Sequence, residues 1–137
     1  MAAEPRDGSA RVLRIDGARI DTIEDLYVQL NDLLMKDEDW RLGTSLDALH
    51  DVLYRFDPGA DLGPAVFVWT DHEHSRESLG ITATRAWLEA KLHRPDVFDA
   101  RTIRAQRDAL LAGEGATYFD LVEEVFAGHP GVRLELR

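Results

Sequence analysis

The sequence predicts an α/β fold, a small, mostly parallel sheet of three strands packed with helices. Three observations carry that prediction. Hydrophobic periodicity gives the element order β-α-α-β-helices-β, and strands separated by helical crossovers run parallel by default. Ala65–Trp69 is apolar at every position, as the middle of a parallel sheet covered on both faces requires. The chain has 137 residues, 45% hydrophobic and 31% charged, which suits one domain with a single core.

Residues 1–9, within MAAEPRDGSA, have no apolar h-region and are expected to form a disordered lead-in rather than a signal peptide. The single domain is expected over residues 10–137. Arg11–Asp16 (RVLRID) sets Val12, Leu13 and Ile15 among polar residues, a first strand that Gly17 breaks. Asp21 then caps a helix and Glu24 closes the capping box. Ile23, Leu26, Tyr27, Leu30, Leu33 and Leu34 form one apolar side of this helix, which is expected to end near Lys36. Asp37–Thr44 is a polar loop in which the indole of Trp40 is expected to plug the core. Ser45 caps a second helix, and the turn-rich Asp57–Pro64 (DPGADLGP) stops it.

After the strand Ala65–Trp69, Asp71–Ser75 leads away, and helical sequence is expected from about Ser75. Ile81–Leu92 and Asp99–Ala112 read as two helices, the first anchored by Trp87, Leu88 and Leu92 and ended by Pro95, the second punctuated by Gly113 and Gly115. Thr117–Ala127 is periodic through Tyr118, Phe119, Val122, Val125 and Phe126. Gly128-His129-Pro130-Gly131 turns the chain into a last strand, Val132–Leu136, with Val132, Leu134 and Leu136 directed inward.

Composition narrows the function. There is no cysteine, hence no disulfide framework and no thiolate zinc site. The longest apolar run is far too short to span a bilayer, so the expectation is a cytoplasmic protein with no membrane contact. The net charge of −10 is uneven: residues 21–62 hold eleven acids against Lys36, Arg41 and Arg55, hence −8. Free nucleic acid is a poor ligand for such a surface, because phosphate contacts need positive charge. A basic protein partner is the complementary expectation, and plain solubility accounts for such a charge as well.

The acidic region centres on Ser45–Phe56 (SLDALHDVLYRF), which carries two stripes at helical spacing. Leu46, Leu49, Val52, Leu53 and Phe56 form the apolar one. Asp47, His50, Asp51 and Tyr54 form the other, at i, i+3, i+4 and i+7. A surface helix of ordinary make-up carries Lys, Glu, Gln or Arg there. Short acids have little rotamer freedom to lose and aromatic rings bring contact area cheaply, so this stripe suits recognition, the other reading being a solvated face with a chance spacing.

Gly43-Thr44-Ser45-Leu46-Asp47-Ala48-Leu49-His50-Asp51, with the element order around it, resembles the barstar-like family of intracellular ribonuclease inhibitors. That family has an aromatic-Gly-x-Asn-x-Asp-Ala-Leu-x-Asp run at this place. Gly43, Leu46, Asp47, Ala48, Leu49 and Asp51 agree with it, and Ser45 stands in for the capping Asn. RIDGARIDTIEDLYVQLNDLL, GPAVFVW and VRLEL resemble the family's first strand and helix, second strand and third strand. The resemblance implies a barstar-like fold and a non-enzymatic role. It implies a cytoplasmic antitoxin that plugs a basic, extracellular-type ribonuclease or RNase toxin in a 1:1 complex, without a cofactor. Asp51 would be the central mimic of a substrate phosphate and Asp47 its neighbour, with His50 and Tyr54 in flanking contacts and Glu124 at a peripheral one. The loop residues Trp40, Arg41, Leu42, Gly43 and Thr44 would complete the contact surface.

The resemblance has departures. The aromatic before Gly43 is missing, replaced by Arg41-Leu42, with Trp40 one step earlier. His50 stands where the family often has Trp. Residues 81–115 form a helical insertion that the short family members lack. It carries six bases, among which Arg101, Arg104 and Arg107 recur at i, i+3 and i+6, read as a solvated edge with local salt bridges, as an accessory contact or as a self-association surface. The family's cis proline falls at Gly63-Pro64, so that bond is expected to be cis.

One rival constellation is present. Asp71-His72-Glu73-His74 follows the central strand, where parallel sheets place ligand sites, and His-x-His with carboxylates is a possible divalent-metal set for a hydrolase. The ordinary reading is a polar loop, since no HExxH helix or Gly-rich phosphate loop accompanies it. A further alternative is a non-inhibitory interaction module on the same fold.

Overall fold

The apolar run at the chain's middle becomes the middle strand. A computed structural model describes residues 10–137, and the expected N-terminal lead-in lies outside the described residues. Strands β1 (Arg11–Asp16), β2 (Ala65–Thr70) and β3 (Val132–Leu136) form one parallel sheet in the order β1-β2-β3. The register aligns Leu13 with Phe67 and Leu134, and Ile15 with Trp69 and Leu136. In β2, Ala65, Phe67, Val68 and Trp69 are all buried, so both faces of the sheet's centre are covered.

Six helices surround this sheet: α1 (Ile23–Leu34), α2 (Leu46–Leu53), α3 (His72–Ser78), α4 (Ile81–Leu92), α5 (Ala100–Leu111) and α6 (Tyr118–Ala127). One turn of 3-10 helix, Tyr54–Phe56, extends α2. Leu26 and Leu30 of α1, Leu49 and Leu53 of α2, and Phe119 and Val122 of α6 are fully buried in one core with Phe67 and Trp69. The pair α4 and α5, which falls in the segment expected as an insertion, has a smaller cluster of Leu88, Ile103 and Leu110. Trp87 packs against both clusters and meets the Tyr118 ring edge-on at 4.9 Å. No helix among the described residues is long and apolar enough to cross a membrane.

Three local expectations need correction. Helix α1 is capped by Thr22 with Asp25, one residue later than expected: the Thr22 hydroxyl accepts from Asp25 N, and the Asp25 carboxylate accepts from Thr22 N. Asp21 is drawn elsewhere, its carboxylate 2.7 Å from His74 Nε2. Helix α3 begins at His72 rather than near Ser75, because Asp71 adopts a left-handed φ of 49° and turns the chain at once. Ser75 is buried inside α3, donating to the Gly17 carbonyl and accepting from Trp69 Nε1. The Gly63-Pro64 bond is trans, not cis; Gly59 and Gly63, both at positive φ, turn the chain toward β2.

Candidate functional site

Helix α2 is anchored at both ends. Its first turn is capped by the Ser45 hydroxyl, which accepts from Ala48 N at 3.1 Å, satisfying one of the helix's orphan donors. Before the cap, Asn31 of α1 holds the loop backbone through Leu42, accepting from its N–H at 2.7 Å and donating to its carbonyl at 3.1 Å. At the far end, Gly131 packs so closely on the Phe56 carbonyl that a Cβ there would overlap it. Leu49, Val52 and Leu53 bury the inner stripe.

The opposite stripe is outside, as its spacing predicts. Asp47 and Asp51 are exposed, and neither carboxylate forms an ion pair or hydrogen bond among the described residues. Tyr54 is 53% exposed and its ring stacks on His50 with centroids 5.4 Å apart. Glu124 is exposed on α6, the helix against which α2 packs. Two short acids with no ion pair among the described residues, on an anchored helix and flanked by an imidazole and a phenol, can bind cations without first breaking a salt bridge to those residues.

The loop before α2 divides differently from expectation. Trp40 is 46% exposed and plugs nothing; the buried residue is Leu42, 4% exposed. Asn31 grips the backbone at Leu42, which turns that side chain inward and leaves the indole outside. Leu42 therefore has no side chain to offer a partner, whereas Trp40, Gly43 and Thr44 are on the surface. The Arg41 guanidinium folds back on its own loop, with Nη1 donating to the carbonyls of Met35, Glu38 and Trp40 at 3.1 Å each.

Three residues that sequence reasoning passed over border this face. His129, read only as part of a turn, is buried with its Nε2 2.5 Å from His50 Nδ1. Asp57, read as a helix stop, lies with Oδ1 3.6 Å from His129 Nδ1. Lys91 of α4 has its ammonium 3.8 Å from the centroid of Trp87 and 5.0 Å from that of Phe98. Burial lowers its pKa below the ordinary lysine value, and the field of Asp47 acts the other way. Lys91 and Leu46, the residue before Asp47, line the same cleft of about 340 Å³, together with Trp87, Leu88 and Leu121. Of the basic edge on α5, Arg107 reaches Glu89 and Asp108 at 4.0 and 3.7 Å, while Arg101 and Arg104 are exposed.

The rival constellation is dispersed. His74 turns to Asp21, whereas His72 Nδ1 meets the Arg137 carbonyl at 2.9 Å and its Nε2 lies 3.3 Å from Glu73. Among the described residues no three His, Asp or Glu side chains gather in a set that could hold a metal ion.

The arrangement defines a class first: an α/β protein with a small parallel sheet that presents one anchored helix with an acidic outer face. No protein-family model matches the sequence, and no curated protein matches it.

Proposed function

We propose that this chain is a barstar-like inhibitor of a basic ribonuclease or ribonuclease toxin, acting in the cytoplasm as a 1:1 complex. In this reading, Asp51 enters the enzyme's cation-lined active site where an RNA phosphate would lie, and Asp47 fills the neighbouring position. Tyr54 and His50 supply flat contact surface beside them, Trp40, Gly43 and Thr44 meet the rim, and Glu124 adds a peripheral charge. The observation that carries the reading is the pair Asp47 and Asp51, exposed, without an ion pair or hydrogen bond among the described residues, and fixed on a helix anchored at both ends. Desolvating two carboxylates is unfavourable unless each meets a cation, which makes the pair selective for a basic cleft. The surrounding charge of −8 over residues 21–62 would speed encounter with such an enzyme.

The test is a titration of the protein into secreted ribonucleases and RNase toxin domains of the same organism, with RNA cleavage as the readout. Stoichiometric inhibition is expected. Asp51→Ala should weaken binding by about 3–5 kcal/mol, more than a hundredfold, because it leaves an enzyme cation buried without its partner. Its thermal midpoint should stay near that of the parent, since Asp51 lies off the apolar stripe. Undiminished binding by Asp51→Ala, or unfolding of that variant, would overturn the assigned role. Failure to inhibit any such enzyme would leave the fold as a general interaction module.

A further inference from the structure

A line of polar groups, of which the inhibitor reading uses only the outer end, runs from the interior to the acidic face. Asp57 Oδ1 and His129 Nδ1 face each other at 3.6 Å, and both atoms are buried with no hydrogen-bond partner. The other nitrogen of His129, Nε2, lies 2.5 Å from His50 Nδ1. The rings of His50, Tyr54 and His129 pack together, with His129 edge-on to both at 4.5 and 4.6 Å. His50 Nε2 is left with no hydrogen bond among the described residues, and unlike His129 Nδ1 it is not a buried, unsatisfied atom.

One proton arrangement suits this order. A carboxylate oxygen repels an imidazole lone pair and attracts an N–H, so the His129 proton belongs on Nδ1, toward Asp57. Its Nε2 then carries the lone pair, and the close approach of His50 Nδ1 requires a proton between them, donated by His50. Neutral His50 consequently keeps its own lone pair on Nε2, at the outer edge of the ring. A free imidazole has no such obligation.

We propose that Asp57 and His129 are positioning residues that hold His50 as its Nδ1–H tautomer, so that one proton-accepting nitrogen lies beside Tyr54 at the edge of the acidic face. A proton taken at His50 Nε2 makes that face less negative by one charge without disturbing the His50–His129 bond, and weakens its hold on a cationic partner. The groups around the rings are Asp47, Asp51 and Tyr54 of α2 and its extension, Asp57 and His129 behind, and Glu123 and Glu124 on α6. The bases at this end are engaged: Arg55 with Glu38 and Asp61, and Lys91 over Trp87 beside Asp47. The ring also sits against the carbonyl end of α6. A Cβ on Gly128 would lie 3.5 Å from the Val125 carbonyl oxygen and 3.8 Å from His50 Cε1.

The tautomer part of the proposal stands apart from the inhibitor reading, whereas its binding part rests on the acidic face being what a cationic partner meets. Ring-resolved ¹⁵N NMR of the full chain, with histidine labelled, reads the first directly. Near pH 8, His50 and His129 should both show protonated Nδ1 and unprotonated Nε2. Asp57→Asn, whose amide can donate to His129 Nδ1, should move both rings toward the Nε2–H form. His50 observed as Nε2–H in the parent would overturn the relay, as would an unchanged tautomer in Asp57→Asn. For the second, a nona-arginine peptide serves as the cationic probe between about pH 7.5 and 6. Acidification should weaken its binding to the parent about twofold to threefold more than its binding to His50→Gln, the effect of one unit charge about 6–10 Å away in water. Equal losses in the two proteins would overturn the binding half. Neither readout requires ribonuclease inhibition, so failure of the inhibitor reading would show separately.

Discussion

Asp47 and Asp51 carry the same charge one helical turn apart, yet of the two it is Asp47 whose field is felt at the Lys91 ammonium. Lys91→Met keeps most of the stem that packs near Trp87 while removing the ammonium. If the acidic face meets a basic ribonuclease, this variant should associate about twofold to fivefold faster at low salt, with the gain shrinking as salt is raised. Stopped-flow association checks it, and unchanged or slower association would disconnect Lys91 from the face. That link was hidden in the sequence because it joins residues 44 apart. By contrast, the placement of Asp47, His50, Asp51 and Tyr54 on one face was legible, since helical spacing is a local property. Trp40 and Leu42 exchanged their expected places because Asn31, earlier in the chain, decides which loop residue turns inward. His129 sits 79 residues from His50, and no local pattern reports such a contact.

The helix start at α1 shows how an element can be legible while its boundary is not. Asp21-x-x-Glu24 and Thr22-x-x-Asp25 both satisfy the capping-box pattern, so the sequence offers two registers. Tertiary contact breaks the tie, because His74 engages the Asp21 carboxylate and Thr22 closes the box with Asp25. Thr22→Ala should therefore cost about 1 kcal/mol of stability, the usual loss for a cap hydroxyl. Asp21→Ala removes only an exposed contact to His74 and should cost a few tenths. Urea unfolding of the two variants at neutral pH separates them, and equal losses would argue against the Thr22 cap. The three strands were readable to within a residue, since each is a short apolar segment bounded by turn chemistry. The start of α3 was not, because Asp71 begins the helix in a left-handed conformation and without a side-chain cap hydrogen bond.

The fold as a whole joins its first helix to its last through a pair of buried hydroxyls. Tyr27 of α1 and Tyr118 of α6 meet at 2.8 Å between oxygens, with both side chains almost wholly buried. Both residues read from the sequence only as apolar-stripe members, since periodicity marks a tyrosine as core but cannot pair its hydroxyl across 91 positions. Neither phenol ionises easily there. Burial pushes Tyr118 up to about 12, and burial with the neighbouring Tyr118 pushes Tyr27 higher still. In the unfolded chain a tyrosine loses its proton near pH ~10. The folded values lie above the unfolded one, so this contribution to stability is complete below about pH 10 and is lost as pH rises from there toward 12. The maximum slope is about 1.4 kcal/mol per pH unit for each phenol that stays protonated only when folded. Tyr27→Phe should be less stable than the parent by about 1 kcal/mol near pH 9, because it removes the partner of a buried hydroxyl. Between about pH 10 and 11.5, however, its stability should fall less steeply, since one of the two phenols is gone. Urea unfolding across that range reads both effects. Parallel curves for the two proteins would show that alkaline unfolding starts elsewhere, whereas converging curves would locate it at the junction of α1 with α6, the helix that also supports α2 and its acidic face.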